Sequence, residues 1–323
     1  MASAVTFPEL RLLLGVDGGG SKTTALIASL DAAGDIHILG RGRGGPSNLR
    51  LAGRERSLAS LNRAVDEALL EANLPGRLLD YAVLALACSR YSDVRDEVAA
   101  WAEQRNLSAQ VEIIHDTVPV LASGVDNGYG IALIVGTGSV AAGTNARGEN
   151  VMLGGWGHWF GDKGIGFDLG CKALSAVAEA SDGIGPQTVM CELVLARLNI
   201  SDPRRILQKV SAGGDVRREV AALAPIVLEA AALNDKVAID LVSNAVAEAV
   251  KLVAAVARDL ELSSAYPLML AGGVVSSNEH FREELISHLN KLSPAPEPIC
   301  IVDEPVHGCL KIARAKLLSQ GSD

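Results

Sequence analysis

Asp17-Gly18-Gly19-Gly20-Ser21-Lys22-Thr23 follows directly on the apolar run 10–16 and leads into a second run, Ala25-Leu26-Ile27-Ala28-Ser29-Leu30. A short apolar stretch stopped by glycines reads as a buried strand, so residues 17–23 form a turn between two strands. Consecutive glycines let backbone N–H groups approach an anion, because no Cβ intervenes. Ser21 and Thr23 offer hydroxyl donors and Lys22 a positive charge. Asp17, at the strand's end, can hold a metal ion through water, since Mg²⁺ takes only one or two protein carboxylates and keeps several waters. A phosphate cradle with a metal beside it is the functional reading of Gly18, Gly19, Gly20 and their neighbours, and a plain hairpin turn is the bland one. Neither common nucleotide signature applies. Gly15 and Gly20 have the Walker A spacing, but Ser21 intrudes before Lys22-Thr23, and Thr23 stands where the third glycine of G-x-G-x-x-G belongs.

Working outward, residues 36–42 make a third strand, so the chain opens as an antiparallel meander. Leu58, Leu61, Val65, Leu69 and Ala72 recur at helical spacing. Strand 81–86, helix 93–105 and strand 111–114 continue as parallel sheet with crossover helices. Near residues 118–126 the pattern restarts: strand 131–135, the turn Gly136-Thr137-Gly138-Ser139, strand 140–144, a polar turn, strand 151–154. The remainder is mostly helical, including an alanine-rich stretch over 216–260 broken at Asn234-Asp235. It closes with strand 268–271, the pair Gly272-Gly273, helix 278–292, strand 299–302 and a last helix from about 308. The expected fold is α/β, with two domains that share a β-meander opening and an interdomain cleft. The first domain is expected over 10–120, completed by helix 308–320, and the second over 121–307.

The chain has 323 residues, 49% of them hydrophobic, enough to give each of two domains a core. A net charge of −9 argues against a nucleic-acid binder, because a duplex must be met by a positive surface. Five scattered cysteines without C-x-x-C or metal spacing read as reduced thiols. The N-terminal residues lack a basic region followed by a long apolar core, so the chain is expected to stay in the cytoplasm. The uncharged stretch 127–146 reaches membrane-span length, yet its glycines, serine and threonines read better as strand, turn, strand.

The second turn, Gly136, Thr137 and Gly138, stands at the place equivalent to the first and reads as a second phosphate grip. Gly272 and Gly273, between a strand and a helix, suit close approach to a flat ring. Asp116 follows a strand in Ile113-Ile114-His115-Asp116-Thr117. It is either a general base accepting the proton of an attacking hydroxyl or a helix N-cap. The segment 154–162, GGWGHWFGD, holds two of the three tryptophans. Trp156 offers a face to a sugar, Gly155 and Gly157 allow close approach, and Asp162 can accept hydroxyl hydrogen bonds. A buried aromatic plug is the alternative.

Together GVDGGGSKT at Gly15, GPSN at Gly45, HDT at His115, GTGS at Gly136, GGWGHWFGDKG at Gly154, LAGGV at Leu270 and HGCLKIA at His307 resemble one group of proteins. It is the N-acetylglucosamine kinase group of the BadF/BadG/BcrA/BcrD ATPase family, within the hexokinase, Hsp70 and actin superfamily. The resemblance spans about residues 11–317. It implies two ribonuclease-H-like (actin-like ATPase) domains, ATP and Mg²⁺ as cofactors, an amino sugar phosphorylated on its 6-hydroxyl, and a homodimer. By position it implies the first phosphate motif at 17–23 and the second at 136–139, with Ser139 near the sugar. Asp116 is implied as the base, and Gly272-Gly273 as the adenosine motif. Asn48, residues 155–159 (His158 among them) and Asp162 are implied as sugar contacts.

Two departures bear on substrate. Where the family reads GDEG, this chain has Gly161-Asp162-Lys163-Gly164, and after the strand at Leu84 it has Ala87-Cys88-Ser89-Arg90. Lys163 and Arg90 either favour an acidic substrate or are solvated surface cations. Glucosamine is the runner-up sugar. Two readings from other classes stand beside the kinase: a partner-activating ATPase with an iron–sulfur cluster, for which no convincing cysteine pair is present, and a regulator that binds sugar without catalysis, which predicts a missing base or loop.

Overall fold

The computed structural model describes residues 11–214 and 216–320. Leu10, read as the first residue of the opening strand, and the N-terminal stretch read for a leader lie outside them. The chain divides into two compact units, one of residues 1–127 with 304–323 and one of residues 128–303.

In the first unit β1 (Arg11–Gly18), β2 (Thr23–Leu30) and β3 (Ile36–Gly44) form the meander. Next come α1 (Leu49–Ala52), α2 (Arg54–Glu71), β4 (Leu79–Leu86), α3 (Ser92–Gln104), β5 (Ser108–Ile114) and α4 (Thr117–Gly124). The sheet order is β3-β2-β1-β4-β5, antiparallel through β3-β2-β1 and parallel through β1-β4-β5. Alternation along β1 sorts its side chains. Leu12, Leu14 and Val16 join a core with residues of α2 and α3, whereas Leu13 joins one with Val306, Cys309, Leu310 and Ala313. β1 and β4 are buried on both faces, which is why they read as unbroken apolar runs.

The second unit repeats the plan. β6 (Gly130–Val135), β7 (Ser139–Thr144) and β8 (Asn150–Gly154) form its meander. A helical layer follows: α5 (Phe167–Asp182), α6 (Met190–Leu198), α7 (Ile206–Ser211), α8 (Val216–Ala221), α9 (Ala224–Ala232) and α10 (Lys236–Asp259). Then come β9 (Tyr266–Ala271), α11 (Gly273–Ser277), α12 (Glu279–Leu289) and β10 (Pro296–Val302). The order β8-β7-β6-β9-β10 is the first sheet's order with the same parallel and antiparallel pairs. α13 (Val306–Gln320) then returns to the first unit and supplies the residues that cover Leu13.

One local expectation is corrected and two stand. The alanine-rich stretch breaks twice, once at Asn234-Asp235 as read and once between α8 and α9, where Pro225 occupies the first turn and offers no N–H to a preceding turn. The helix expected over 278–292 is α12, capped by Asn278, whose side chain accepts the Phe281 amide at 2.7 Å, and a separate short helix, α11, precedes it. The stretch 127–146 holds β6 and β7, the strand, turn, strand read for it.

Glycines 40, 42 and 44 on β3 have a packing reason. A Cβ at any of them would lie 1.8–2.2 Å from a carbonyl oxygen of Ala68, Ala64 or Ser60, so α2 rests on the strand's backbone. That contact fixes where β3 delivers the segment 45–48.

Candidate active site

The C-terminal ends of β1, β4 and β5 carry the chemistry of the first unit. Asp17 closes β1, and its carboxyl is pushed up to about 7, first by burial and then by the neighbouring Asp116, with Lys22 opposing. Two carboxylates faced by one lysine form a set that a divalent cation would neutralise. Among the described residues no group of three or more His, Cys, Asp or Glu is placed to hold a metal. That donor set suits an ion with few protein ligands, held partly through water and phosphate.

Asp116 follows β5 with its side chain 14% exposed. Although it occupies the N-cap position of α4, its carboxylate makes no capping bond, so the capping reading fails. His115 Nδ1 lies 2.9 Å from Asp116 Oδ1, but this nitrogen accepts the Thr117 amide at 3.4 Å and sits 3.0 Å from the Thr117 hydroxyl. The buried Oδ1 of Asp116 makes no hydrogen bond, and that ring nitrogen pairs with it only when the imidazole is protonated. A buried oxygen left without a donor is costly in a folded protein. Here it is available to accept a proton from a ligand.

The glycine turn divides into parts. A Cβ on Gly18 would lie 2.3 Å from Ser47 Oγ and 2.5 Å from Leu86, so this glycine is required by packing. A Cβ on Gly19 would meet nothing nearer than the Lys22 carbonyl oxygen at 3.9 Å, leaving its backbone open to a ligand. Ser21 and Lys22 are exposed at the tip. Thr23 departs from its expected role. It is 1% exposed, and its Oγ1 lies 2.7 Å from the Gly45 carbonyl oxygen and 2.8 Å from Ser47 Oγ, so the hydroxyl is turned away from any phosphate at the tip. Asn48 caps α1, its Oδ1 accepting the amides of Arg50 and Leu51 at 3.1 and 3.3 Å.

Sequence reasoning did not single out Ser47, although GPSN was quoted, because a serine beside Pro46 carries no signal of its depth. Nor did it find the supports behind β4. The Ser89 hydroxyl donates to the Ile114 carbonyl at 2.7 Å, and Arg95 donates to the Ser89 and Arg90 carbonyls at 2.7 and 3.1 Å, fixing the loop between the two aspartates' strands. All five cysteines are free thiols. Cys309, beneath the end of β1, donates to the Val16 carbonyl at 3.3 Å, and burial raises its pKa and that of Cys88, which disfavours the thiolate at both.

In the second unit the turn Gly136-Thr137-Gly138-Ser139 is closed by Gly136 N–H donating to the Gly138 carbonyl at 3.0 Å. Asp162 sits behind it, one carboxylate oxygen accepting the Ser139 amide at 2.9 Å, and a Cβ on Gly138 would come within 2.8 Å of that oxygen. Burial raises the Asp162 pKa, while the Ser139 amide, His158 and Arg217 draw it down. Asp162 is held at φ +50°, an uncommon conformation for a residue with a side chain, which marks the loop as constrained by its surroundings. Arg217, far along the chain on α8, had no local signal. Asp162 therefore anchors Ser139, and only its remaining oxygen is open to a hydroxyl.

Trp156 and Trp159 are 71% and 75% exposed, which excludes the buried plug. His158 lies against Trp159 at 4.9 Å and edge-on to Phe167 at 5.2 Å, and Gly155 N–H donates to the Ser139 carbonyl at 2.8 Å. The aromatic loop is thereby pinned to the turn at its start and, through Asp162, at its end, with Trp156 and Trp159 exposed between. Of the glycine pair, Gly272 at φ +104° packs on β6, where a Cβ would lie 2.3 Å from the Val135 carbonyl oxygen, whereas Gly273 faces open space.

The family model of the BadF/BadG/BcrA/BcrD ATPases matches residues 14–304. The chain belongs to the BadF/BadG/BcrA/BcrD ATPase family. Within reach of this BadF-family chain is the N-acetylmuramic acid/N-acetylglucosamine kinase of Clostridium acetobutylicum, 27% identical over 95% of this chain and 99% of that one. The N-acetyl-D-glucosamine kinase of Dictyostelium discoideum is 25% identical over 94% and 97% of the two chains. A solved Chromobacterium violaceum protein, provisionally named an N-acetylglucosamine kinase, superposes with a TM-score of 0.73 at 25% identity, covering 94% of this chain and 99% of its own. The resemblance read from the motifs and the two-domain actin-like α/β fold both stand. Among the described residues of this ATPase-family chain, no helix is long and apolar enough to cross a membrane.

Proposed function

We propose that this protein is an ATP-dependent amino-sugar kinase that phosphorylates the 6-hydroxyl of N-acetylglucosamine. The observation that carries the reading is the buried, partnerless Oδ1 of Asp116 beside the raised carboxyl of Asp17. Phosphoryl transfer asks a protein mainly for positioning, charge neutralisation and acceptance of one proton. Asp116 takes the proton of the sugar hydroxyl as its oxygen bonds to the terminal phosphorus of ATP, and the phosphorus–oxygen bond to ADP breaks. Gly19 and the tip of the first turn receive phosphate oxygens through backbone N–H groups, Lys22 adds charge, and Thr137 does the same work from the second turn. Gly273 offers its open backbone to the adenosine. Asp17 would hold Mg²⁺ through water, and the ion when bound supplies charge neutralisation at the phosphates. Asn48, the second carboxylate oxygen of Asp162, the exposed face of Trp156 and the half-buried His158 serve the sugar.

A second reading, an acidic amino sugar as acceptor, is favoured by three cations. Arg90 stands exposed over the Tyr91 ring at 5.8 Å, Lys163 is exposed beside Asp162, and Arg217 faces Asp162. The Clostridium relative named for N-acetylmuramic acid acts on a sugar of that kind. The test is ADP release from Mg·ATP across N-acetylglucosamine, glucosamine, glucose, N-acetylmannosamine, N-acetylmuramic acid and no sugar. Turnover with N-acetylglucosamine above the others supports the first reading and preference for the acidic sugar the second. ATP hydrolysis indifferent to every sugar overturns both in favour of a partner-activating ATPase. The same reading implies a cytoplasmic homodimer, which light scattering on the purified chain checks for the oligomeric state.

A further inference from the structure

The exit of β3 and the glycine turn after β1 are tied together by groups that touch neither proposed ligand. Ser47 is fully buried and Thr23 is 1% exposed. The Ser47 amide donates to the Gly19 carbonyl at 3.1 Å, while Thr23 Oγ1 lies 2.8 Å from Ser47 Oγ and 2.7 Å from the Gly45 carbonyl oxygen. A hydroxyl carries one proton. The arrangement that satisfies all three oxygens has Thr23 donating to Gly45 and Ser47 donating to Thr23. Gly18 completes the fit, since any side chain there would strike the Ser47 hydroxyl. On the far side, α2 lies against the backbone of β3, so the segment 45–48 cannot drift away with the strand. The next residue, Asn48, is a proposed sugar contact, and Gly19 is a proposed phosphate contact.

We propose that Ser47 and Thr23 are positioning residues, a clasp that holds the sugar-binding segment 45–48 in register with the phosphate-binding turn 19–22. The inference rests on the kinase reading. Its physical basis is that phosphoryl transfer depends on placement, where a shift of about 1 Å costs on the order of 10²-fold in rate. A clasp of this kind acts on kcat and leaves the separate affinities nearly intact, because each half of the site keeps its own contacts.

The experiment compares Thr23→Val, Thr23→Ser, Ser47→Ala and the double variant Thr23→Val/Ser47→Ala in the full chain. Thr23→Val should lower kcat by about 10- to 100-fold, with Kd for N-acetylglucosamine and for ATP each within about threefold of the parent. Thr23→Ser, which restores the hydroxyl, should return kcat to near the parent value. The double variant should be little worse than either single one, the non-additivity expected of a shared contact. Independently of turnover, hydrogen exchange of the Ser47 amide should quicken in Thr23→Val and not in Thr23→Ser. A Thr23→Val enzyme with kcat within twofold of the parent overturns the proposal, as does one that loses ATP affinity at unchanged kcat, which would make Thr23 a nucleotide ligand. If Thr23→Val does not fold, Ser47→Ala decides by the same two readouts, and unchanged kcat with unchanged exchange overturns the clasp. Should the parent phosphorylate no sugar, the kinase reading fails and amide exchange alone decides whether the clasp exists.

Discussion

Asp116 and Asp17 leave strands separated by β4 in the sheet, yet the Asp116 carboxylate adds to burial in pushing Asp17 to a pKa of about 7. One aspartate is suited to charge neutralisation and the other, with its unpartnered oxygen, to proton acceptance.

Their substitutions should therefore fail differently. Asp116→Asn, nearly isosteric, is expected to lower kcat by at least about 10²-fold while sugar and Mg·ATP still bind. Asp17→Asn should also lower kcat, but with the Mg²⁺ concentration for half-maximal rate moved upward. Steady-state kinetics with Mg²⁺ titration separates the two, and near-normal turnover of Asp116→Asn would remove it from the reaction.

The glycine turn gives a paired test. Gly19 faces open space, so Gly19→Val should fold with the parent's thermal midpoint and weaken ATP binding by at least about tenfold. Gly18→Ala should do the reverse, lowering stability by about 1–3 kcal/mol through overpacking against Ser47 and Leu86. Calorimetric nucleotide binding and thermal melts on both variants check this.

Lys163 replaces an acidic residue of the related motif. Lys163→Glu should reduce turnover of N-acetylmuramic acid relative to N-acetylglucosamine. An identical preference before and after would show that Lys163 is a solvated surface cation.

Glu304, where the chain re-enters the first unit, is held at a pKa of about 2, chiefly by the paired hydrogen bonds from Arg41 at 2.6 and 3.0 Å, with His307 assisting. A depressed carboxylate pKa contributes stability that is complete above the unfolded value near 4.5 and is lost as pH falls toward the folded one. Both partners are partly exposed, so the contribution is below about 1 kcal/mol and weakens in salt. The gap in denaturant midpoint between the parent and Glu304→Gln should narrow from pH 5 to pH 3.

Much of this was legible from residue order. Unbroken apolar runs marked β1, β4 and β6 because those strands are covered on both faces, and the two meanders could be matched by their turns. Asp116, Asp17 and the two glycine-rich turns were found because each sits where a strand stops. Other features were hidden for identifiable reasons. The glycines of β3 read only as part of a third strand, and only the presence of α2 against them reveals a packing stripe. The exposure of Trp156 and Trp159 could not be read, since a glycine-flanked aromatic suits a plug and a platform equally.

Strand order, turn chemistry and the positions of the acidic residues follow from short-range patterns, because hydrophobic period and glycine placement act over a few neighbours. Which way a polar group points is decided over long range. Thr23 was read as a phosphate donor and is spent on Gly45 and Ser47, and Asp162 was read as a free acceptor and is half spent on the Ser139 amide. Buried donors and acceptors must find partners wherever the fold brings them. A hydroxyl or carboxylate therefore takes its role from residues far away in the chain, and only the folded structure names them.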